Sequence, residues 1–336
     1  MELCNFQRPA ILSVASITGR NLIFHWSRTI KSTIALVLAG GFAEGFNNGN
    51  EPVYKALIPV NGRPLAYYVV KALEQSNVEK ILILQEEGAN LEAVLPPNSK
   101  CVFLTKDKNH TSLRKGVVFA LEKVAEYYGN SGLDTRCIMV VPCDTPLATK
   151  DNYNNLIGKA NLIMADIIIT IVAEKLLTAR FPQRKFRGVY LADRFATYTM
   201  QNIIFINGEF IRDNPSESLG NPKFTFRGWD QSVFNRVLGG INDVEGMRHQ
   251  SNFYDKLFLT WLFTKGYTSY IFKFLVAFAF RRLTRENIIK YLSGADQMRA
   301  GIIESEEVEF SGDIDQPDDF ETVLGIPWKS RDLDLY

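Results

Sequence analysis

The chain has 336 residues with 38 basic and 37 acidic side chains, enough length to bury a substantial core and too even a charge to attract nucleic acid through its overall field. Its four cysteines, Cys4, Cys101, Cys137 and Cys143, include no CxxC pair, and three histidines leave no zinc-ligand pattern. That usage points to a reducing cytoplasm.

Residues 1–30 carry Arg8, Arg20 and Arg28 against one acid, Glu2, and the apolar run Ala10 to Ile17 is interrupted by serines. A secretory signal places positive charge first and a cleaner apolar core behind it. The segment reads as an extension outside the fold, either disordered or the product of an over-long gene start, with an organelle-targeting peptide as the alternative.

From Thr33 to Lys71 the sequence TIALVLAGGFAEGFNNGNEPVYKALIPVNGRPLAYYVVK reads as strand, glycine turn, long loop, lysine and helix. Ile34 to Leu38 form a short buried strand, and Gly40 and Gly41 let the backbone turn and expose N–H groups to an anion. The long loop before Lys55 points to a clamp for a polyphosphate, although a glycine pair also serves any tight turn. Asn61-Gly62 then make a turn, and Arg63-Pro64 open an amphipathic helix from about Leu65. The spacing excludes a Walker A loop, which needs Gly, Lys and Ser or Thr in succession, and the dinucleotide fingerprint, which needs a third glycine nearby.

Further on, apolar runs at Val78 to Leu84, Cys101 to Leu104 and Cys137 to Val141 alternate with helical stretches at Leu65 to Gln75 and Ser112 to Tyr128. This βαβ order predicts an α/β fold: a Rossmann-like, mostly parallel central sheet flanked by helices, with ligands outside the carboxyl ends of its strands. Another strand is expected at Asp166 to Ala173, then an antiparallel pair at Gly188 to Thr199 and Asn202 to Ile206. From about Pro215 the pattern turns helical, and Ala300 to Val308 is extended again. The expected organisation is therefore a main domain of residues 31–213 and 300–330, interrupted by a mainly helical insertion at 214–299.

Within that insertion, residues 256–290 hold seven basic residues, one acid and nine aromatics. The stretch fits a buried helical subdomain or oligomer contact, a helix resting on a membrane surface, or a nucleic-acid patch, the first being favoured because a nearly continuous apolar helix usually belongs to a core. Its densest part, Ile271 to Phe280, is too short to span a bilayer.

VLAGG, a lysine before ALIPV, and NGRPL together resemble the signature of the MobA-like NTP transferases, nucleotidyltransferases of the molybdenum-cofactor and sugar-nucleotide type. The resemblance runs over Ile34 to Gly208 and returns at Gly301 to Leu324. It implies that Leu38, Ala39, Gly40 and Gly41 form the nucleotide loop and that Lys55 contacts phosphate oxygens. One departure is plain: relatives carry an arginine just after the paired glycines, where this chain has Phe42, Ala43, Glu44, Gly45 and Phe46. Glu44 would repel a bare triphosphate unless it points away or a cation intervenes.

Asp144, in VVPCDTPL, follows four apolar strand residues, a position from which a side chain can enter the ligand crevice. From the residues alone it could equally cap the helix beginning near Lys150 or make an Asx turn. The resemblance implies that it binds the catalytic Mg²⁺. Late in the chain GDIDQPDDFE places Asp313 and Asp315 on one face of an extended segment ahead of an acid-rich helical turn. Asp315 could be a helix N-cap; the resemblance implies a second metal ligand, Asp315 ahead of Asp313.

The resemblance also puts Thr111 or Ser112 beside the base and Asn202 on the acceptor side, where a helix cap and a strand-start turn are the local alternatives. Arg180, Arg184, Lys185 and Arg187 could hold an acceptor phosphate or form a solvated loop. The expected activity is Mg²⁺-dependent transfer of a nucleotidyl group from an NTP, CTP first, to a phosphorylated small molecule with release of pyrophosphate. The alternatives are a catalytically silent nucleotide-binding or membrane-associated regulatory protein and a glycosyltransferase using a nucleotide-sugar.

Overall fold

The computed structural model describes residues 32–48, 51–106, 113–186, 188–213, 283–289 and 299–326. All belong to one compact unit. The extension at 1–30 and nearly all of the insertion at 214–299, including most of 256–290, lie outside the described residues, as do Thr111 and Ser112.

In chain order the strands are β1 (Ser32–Ala39), β2 (Phe42–Asn48), β3 (Glu51–Tyr54), β4 (Pro59–Val60), β5 (Arg63–Pro64), β6 (Val78–Glu86), β7 (Cys101–Lys106), β8 (Arg136–Pro142), β9 (Ile167–Ala173), β10 (Val189–Leu191), β11 (Ala196–Asn207) and β12 (Ala300–Ser305). The helices are α1 (Leu65–Gln75), α2 (Leu91–Val94), α3 (Leu113–Leu133), α4 (Lys150–Ala160), α5 (Glu174–Arg180) and α6 (Gly208–Asp213). The main sheet runs in the order β12-β9-β11-β8-β1-β6-β7, with β10 added along β11. β1 is parallel to both β6 and β8, β6 to β7, and β12 to β9. β11 is antiparallel to β8, β9 and β10, so among the described residues seven of the eight strands run one way and β11 alone runs against them. This is the mostly parallel, helix-flanked sheet expected from the βαβ order.

Period-two alternation sorts the buried strand residues onto two faces. Ala35, Val37, Ile81, Ile83, Met139 and Val141 pack against α1 and α4 through Val69, Leu73, Tyr153 and Leu156. Ile34, Leu36, Leu82, Leu84, Ile138 and Val140 pack on the other side against Leu121 and Val124 of α3 and Ile211 of α6. Burial on both faces is why these strands read as continuous apolar runs. The helix expected to end near Tyr128 does change course there, since Gly129 has non-helical torsions (φ 65°) inside α3.

Two expectations differ. The stretch after Gly41, read as an irregular loop, is a β-hairpin in which β2 pairs with β3, Phe42 opposite Tyr54 and Ala43 opposite Val53. Its Ala43 and Phe46 are buried with Ile58, Phe181, Ile314, Phe320 and Val323 in a separate apolar cluster, and that packing converts an Asn- and Gly-rich stretch into ordered strand. The antiparallel pair also has other bounds: β10 and β11 meet with Val189 opposite Tyr198, so the turn lies near Phe195 (φ 51°) rather than near Gln201. β11 continues through Gln201 and Asn202 as an irregularity in its pairing with β9. Thr170 Oγ1 stabilises it by donating to the Ile203 carbonyl, 2.9 Å.

Among the described residues no helix is long and apolar enough to cross a membrane.

Candidate active site

The carboxyl edge of the sheet gathers the polar residues that the apolar strands deliver. Leu38 and Ala39 end β1, and the chain turns through Gly40 and Gly41, the latter at φ 109°, a torsion open to glycine and costly for a residue with a Cβ. The hairpin then carries the chain out and back, and the Lys55 N–H donates to the Gly41 carbonyl, 3.0 Å. That bond closes the excursion and sets Lys55 at the start of a short 3₁₀ turn, Lys55–Leu57, beside the glycine turn.

Next to β1, β8 ends at Pro142, and the Cys143 N–H bonds back to the Leu38 carbonyl, 3.2 Å, aiming Asp144 into the crevice. The helix-cap alternative for Asp144 falls away: Thr149 caps α4, its Oγ1 accepting from the Asn152 N–H while the Asn152 side chain bonds back to the Thr149 N–H. The third segment arrives from the far end of the sequence. Ile314, fully buried, donates its N–H to the Asp144 carbonyl, 2.9 Å, so the residues flanking Ile314 are brought to the same place.

Lys55 stands between the acids. Its Nζ lies 2.5 Å from Asp144 Oδ2 and also pairs with Asp315 Oδ1. Burial works against the ammonium, yet Asp144 and then Asp315 outweigh it and hold its pKa above the usual lysine value. Burial pushes the Asp144 carboxyl up, with Lys55 pulling the other way. Burial likewise acts upward on Asp315, where Lys55 prevails and holds it below the usual range. Asp313 turns instead to Arg184, Nη1 to Oδ1 2.9 Å; burial pushes its carboxyl up to about 7, with Arg184 opposing and Asp144 and Asp315 adding to the rise. Asp315 does not take the helix N-cap position, which falls to Asp319. Asp319 takes the backbone role, its Oδ2 accepting from the N–H groups of Asp315 and Gln316, 2.8 Å each.

A divalent cation fits this arrangement on one observation: Asp144 Oδ1 is buried without a hydrogen-bond partner, which a carboxylate oxygen does not tolerate cheaply. Among the described residues no three or more Asp, Glu, His or Cys side chains group closely enough to hold a metal by themselves. Two carboxylates completed by phosphate oxygens and water are the usual surroundings of Mg²⁺.

Asn202 is exposed on β11. The register sets Ile204 against Val140, which puts Asn202 near the level of the end of β8, on the crevice edge. Arg180 and Lys185 are exposed, whereas Arg184 is partly buried and belongs to the acidic segment. The side chain of Glu44 lies outside what is described, as does Arg187.

One pair at this edge was not singled out from sequence. Glu86 ends β6 and Lys106 ends β7; they form an ion pair of 2.6 Å, the lysine side chain only 8% exposed. Both reach Gly40, where an added Cβ would lie 3.1 Å from Glu86 Oε1 and 3.1 Å from Lys106 Cε. Each closes its strand one residue after the apolar run ends, behind Gln85 and Thr105, a signal close to the one that marked Asp144.

The family model of the MobA-like NTP transferase domain matches residues 35–195, the span that contains the glycine turn, Lys55, Lys106 and Asp144. Residues 35–195 are a MobA-like NTP transferase domain. The chain thus carries a nucleotidyltransferase domain, to which β12 and the Asp315 segment add from beyond the matched span. Among solved structures, a hypothetical transferase from Thermus thermophilus is 21% identical with a TM-score of 0.55, over 86% of this chain and 99% of that one. It shares the fold. The bifunctional IspDF from Campylobacter jejuni is 14% identical with a TM-score of 0.44, over 87% of this chain and 54% of that one. The 4-diphosphocytidyl-2C-methyl-D-erythritol synthase from Anaerococcus prevotii is 12% identical with a TM-score of 0.39, over 57% of this chain and 77% of that one. No curated protein matches the sequence.

Proposed function

We propose that the chain transfers a nucleoside monophosphate from an NTP to a phosphorylated small molecule, with Mg²⁺ and with release of pyrophosphate. The observation that carries this reading is the meeting of Lys55, Asp144 and Asp315 at the carboxyl edge of the sheet, beside the turn at Gly40 and Gly41. CTP heads the choice of nucleotide. Leu38, Ala39, Gly40 and Gly41 bind the triphosphate through backbone N–H groups, Lys55 contacts phosphate oxygens, and Thr111 and Ser112 serve the base. Asp144 and Asp315 hold the metal, with Asp313 behind them, and Asn202 faces the acceptor.

In this reading an oxygen of the acceptor phosphate attacks the α-phosphorus, the bond to the β-phosphate breaks, and pyrophosphate leaves. Mg²⁺, when bound, neutralises charge that builds on the departing phosphates. The protein's own part is alignment and charge balance, the main requirements of phosphoryl chemistry. No protein nucleophile is required, and burial pushes the thiol of Cys143, next to Asp144, far up, which keeps it protonated.

A silent nucleotide-binding protein is the competing reading, supported by the lack of an arginine at positions 42–46. The deciding experiment incubates the full chain with each NTP, Mg²⁺ and a panel of sugar, polyol and cofactor phosphates and follows pyrophosphate. Acceptor-dependent release is the expected result. Nucleotide binding without turnover across the panel would establish the silent binder instead.

A further inference from the structure

We infer that Arg184 is a positioning residue that fixes the Asp315 carboxylate opposite Asp144 for a divalent cation; this rests on the metal-site reading given under Proposed function. Asp315 reaches the site 260 residues after Lys55, on a segment whose Ile314 is bonded to Asp144 and packed with Ala43 and Phe46, while the acids on either side of Ile314 have no such anchor in the core. Something must hold it there against the mutual repulsion of Asp313 and Asp315.

Arg184 has the contacts to do so. Its Nη1 donates to the Ser311 carbonyl, 2.9 Å, and pairs with Asp313 Oδ1, 2.9 Å. Its Nη2 lies 3.6 Å from Asp319 Oδ1, while the other oxygen of Asp319 accepts from the N–H groups of Asp315 and Gln316. One guanidinium therefore grips the segment on both sides of Asp315, at Ser311 and Asp313 before it and through Asp319 after it. A planar fork spreads its donors in fixed directions over a wider span than a single ammonium covers. The arginine is itself anchored on the main domain, its N–H bonded to the carbonyl of buried Phe181, 3.1 Å, and its guanidinium 5.9 Å from the centre of the Phe186 ring. Its ion pairs are with Asp313 and Asp319, so its effect on Lys55 and Asp144 runs through the segment it holds.

The test titrates Mn²⁺ into the full chain without nucleotide and counts free Mn²⁺ by electron paramagnetic resonance, alongside a metal-free thermal melt. Arg184→Met is expected to weaken Mn²⁺ binding about tenfold, the scale seen when a residue supporting a metal ligand is lost, and Arg184→Lys to fall between it and the parent. Parent-like Mn²⁺ affinity in Arg184→Met, even with a lowered melting temperature, would overturn the inference and leave the metal site standing. If Arg184→Met does not fold, Arg184→Lys decides: weaker binding supports the inference and parent affinity overturns it. A parent protein that binds no Mn²⁺ would remove the metal reading of Asp144 and Asp315, and the role of Arg184 with it.

Discussion

The Ile314 N–H donates to the Asp144 carbonyl across 2.9 Å, joining the end of a central strand to a segment from the far end of the sequence. Together with the grip of Arg184 on the same segment, this backbone bond sets Asp315 where Lys55 can reach both acids. Asp144 is the member of the set delivered by the rigid sheet, so it is the residue whose chemistry the site can least replace. Asp144→Asn keeps the shape and removes the charge; pyrophosphate release is expected to fall at least about 100-fold, the scale of losing one preorganised charge contact in a transferase site. Turnover near the parent rate would break the site assignment.

Gly41 has φ 109° and no atom within 4 Å of an added Cβ. Substitution to alanine therefore acts through the backbone alone, at a cost of about 1–3 kcal/mol, and tilts the turn that the proposed function assigns to the nucleotide. The expected result is a lower melting temperature together with a raised KM for the NTP, measured by calorimetry and steady-state kinetics. Gly40→Ala, whose backbone is not strained, should press on Glu86 and Lys106 instead and leave stability closer to the parent.

The buried Lys106 gives a second handle on the same edge. Lys106→Met removes positive charge beside Gly40 and leaves Glu86 facing the glycine turn uncompensated. An approaching triphosphate then meets net negative charge, and the KM for the NTP is expected to rise about tenfold, roughly 1.4 kcal/mol, with kcat less affected. An unchanged KM would place the pair outside the nucleotide's reach.

Away from the crevice, Glu307 accepts from Ser305 Oγ at 2.5 Å and pairs with Lys159 at 3.3 Å. Burial opposes its ionisation, but the Ser305 hydroxyl, Lys159 and a backbone N–H outweigh burial and hold its pKa below the ordinary glutamate value of 4.5. A carboxyl whose folded pKa is depressed contributes stability that is whole above the unfolded pKa and drains away as pH falls through the folded one. Glu307→Gln should therefore have a flatter decline in melting temperature below about pH 4.5 than the parent. Parallel acid limbs in the two proteins would rule out this contribution.

What the sequence disclosed depended on how local each cause was. β1, β6 and β8 announce themselves because burial on both faces demands unbroken apolar runs, and Asp144 stands out as the polar residue that ends one of them. The hairpin of β2 and β3 stayed hidden because Phe46 is ordered by Phe320, a partner far away in sequence. Gln201 and Asn202 looked like a turn between strands; the Thr170 hydroxyl, which keeps the chain in the sheet there, is equally non-local. Arg184 sat in a basic cluster whose other described members, Arg180 and Lys185, are solvated, and only the folded acidic segment distinguishes it. The Glu86 and Lys106 pair was legible by a rule close to the one that found Asp144, since each closes a strand, but nothing in the chain signalled that they face each other.

β12 lies at the sheet's margin beside β9, and Asp315 follows ten residues after its last residue, Ser305. A ribosome therefore finishes every other strand of the main sheet before it makes the acid that completes the crevice. A chain clipped between Ser305 and Asp315 would keep all the strands of the main sheet and lose the carboxylate that pairs with Lys55 opposite Asp144.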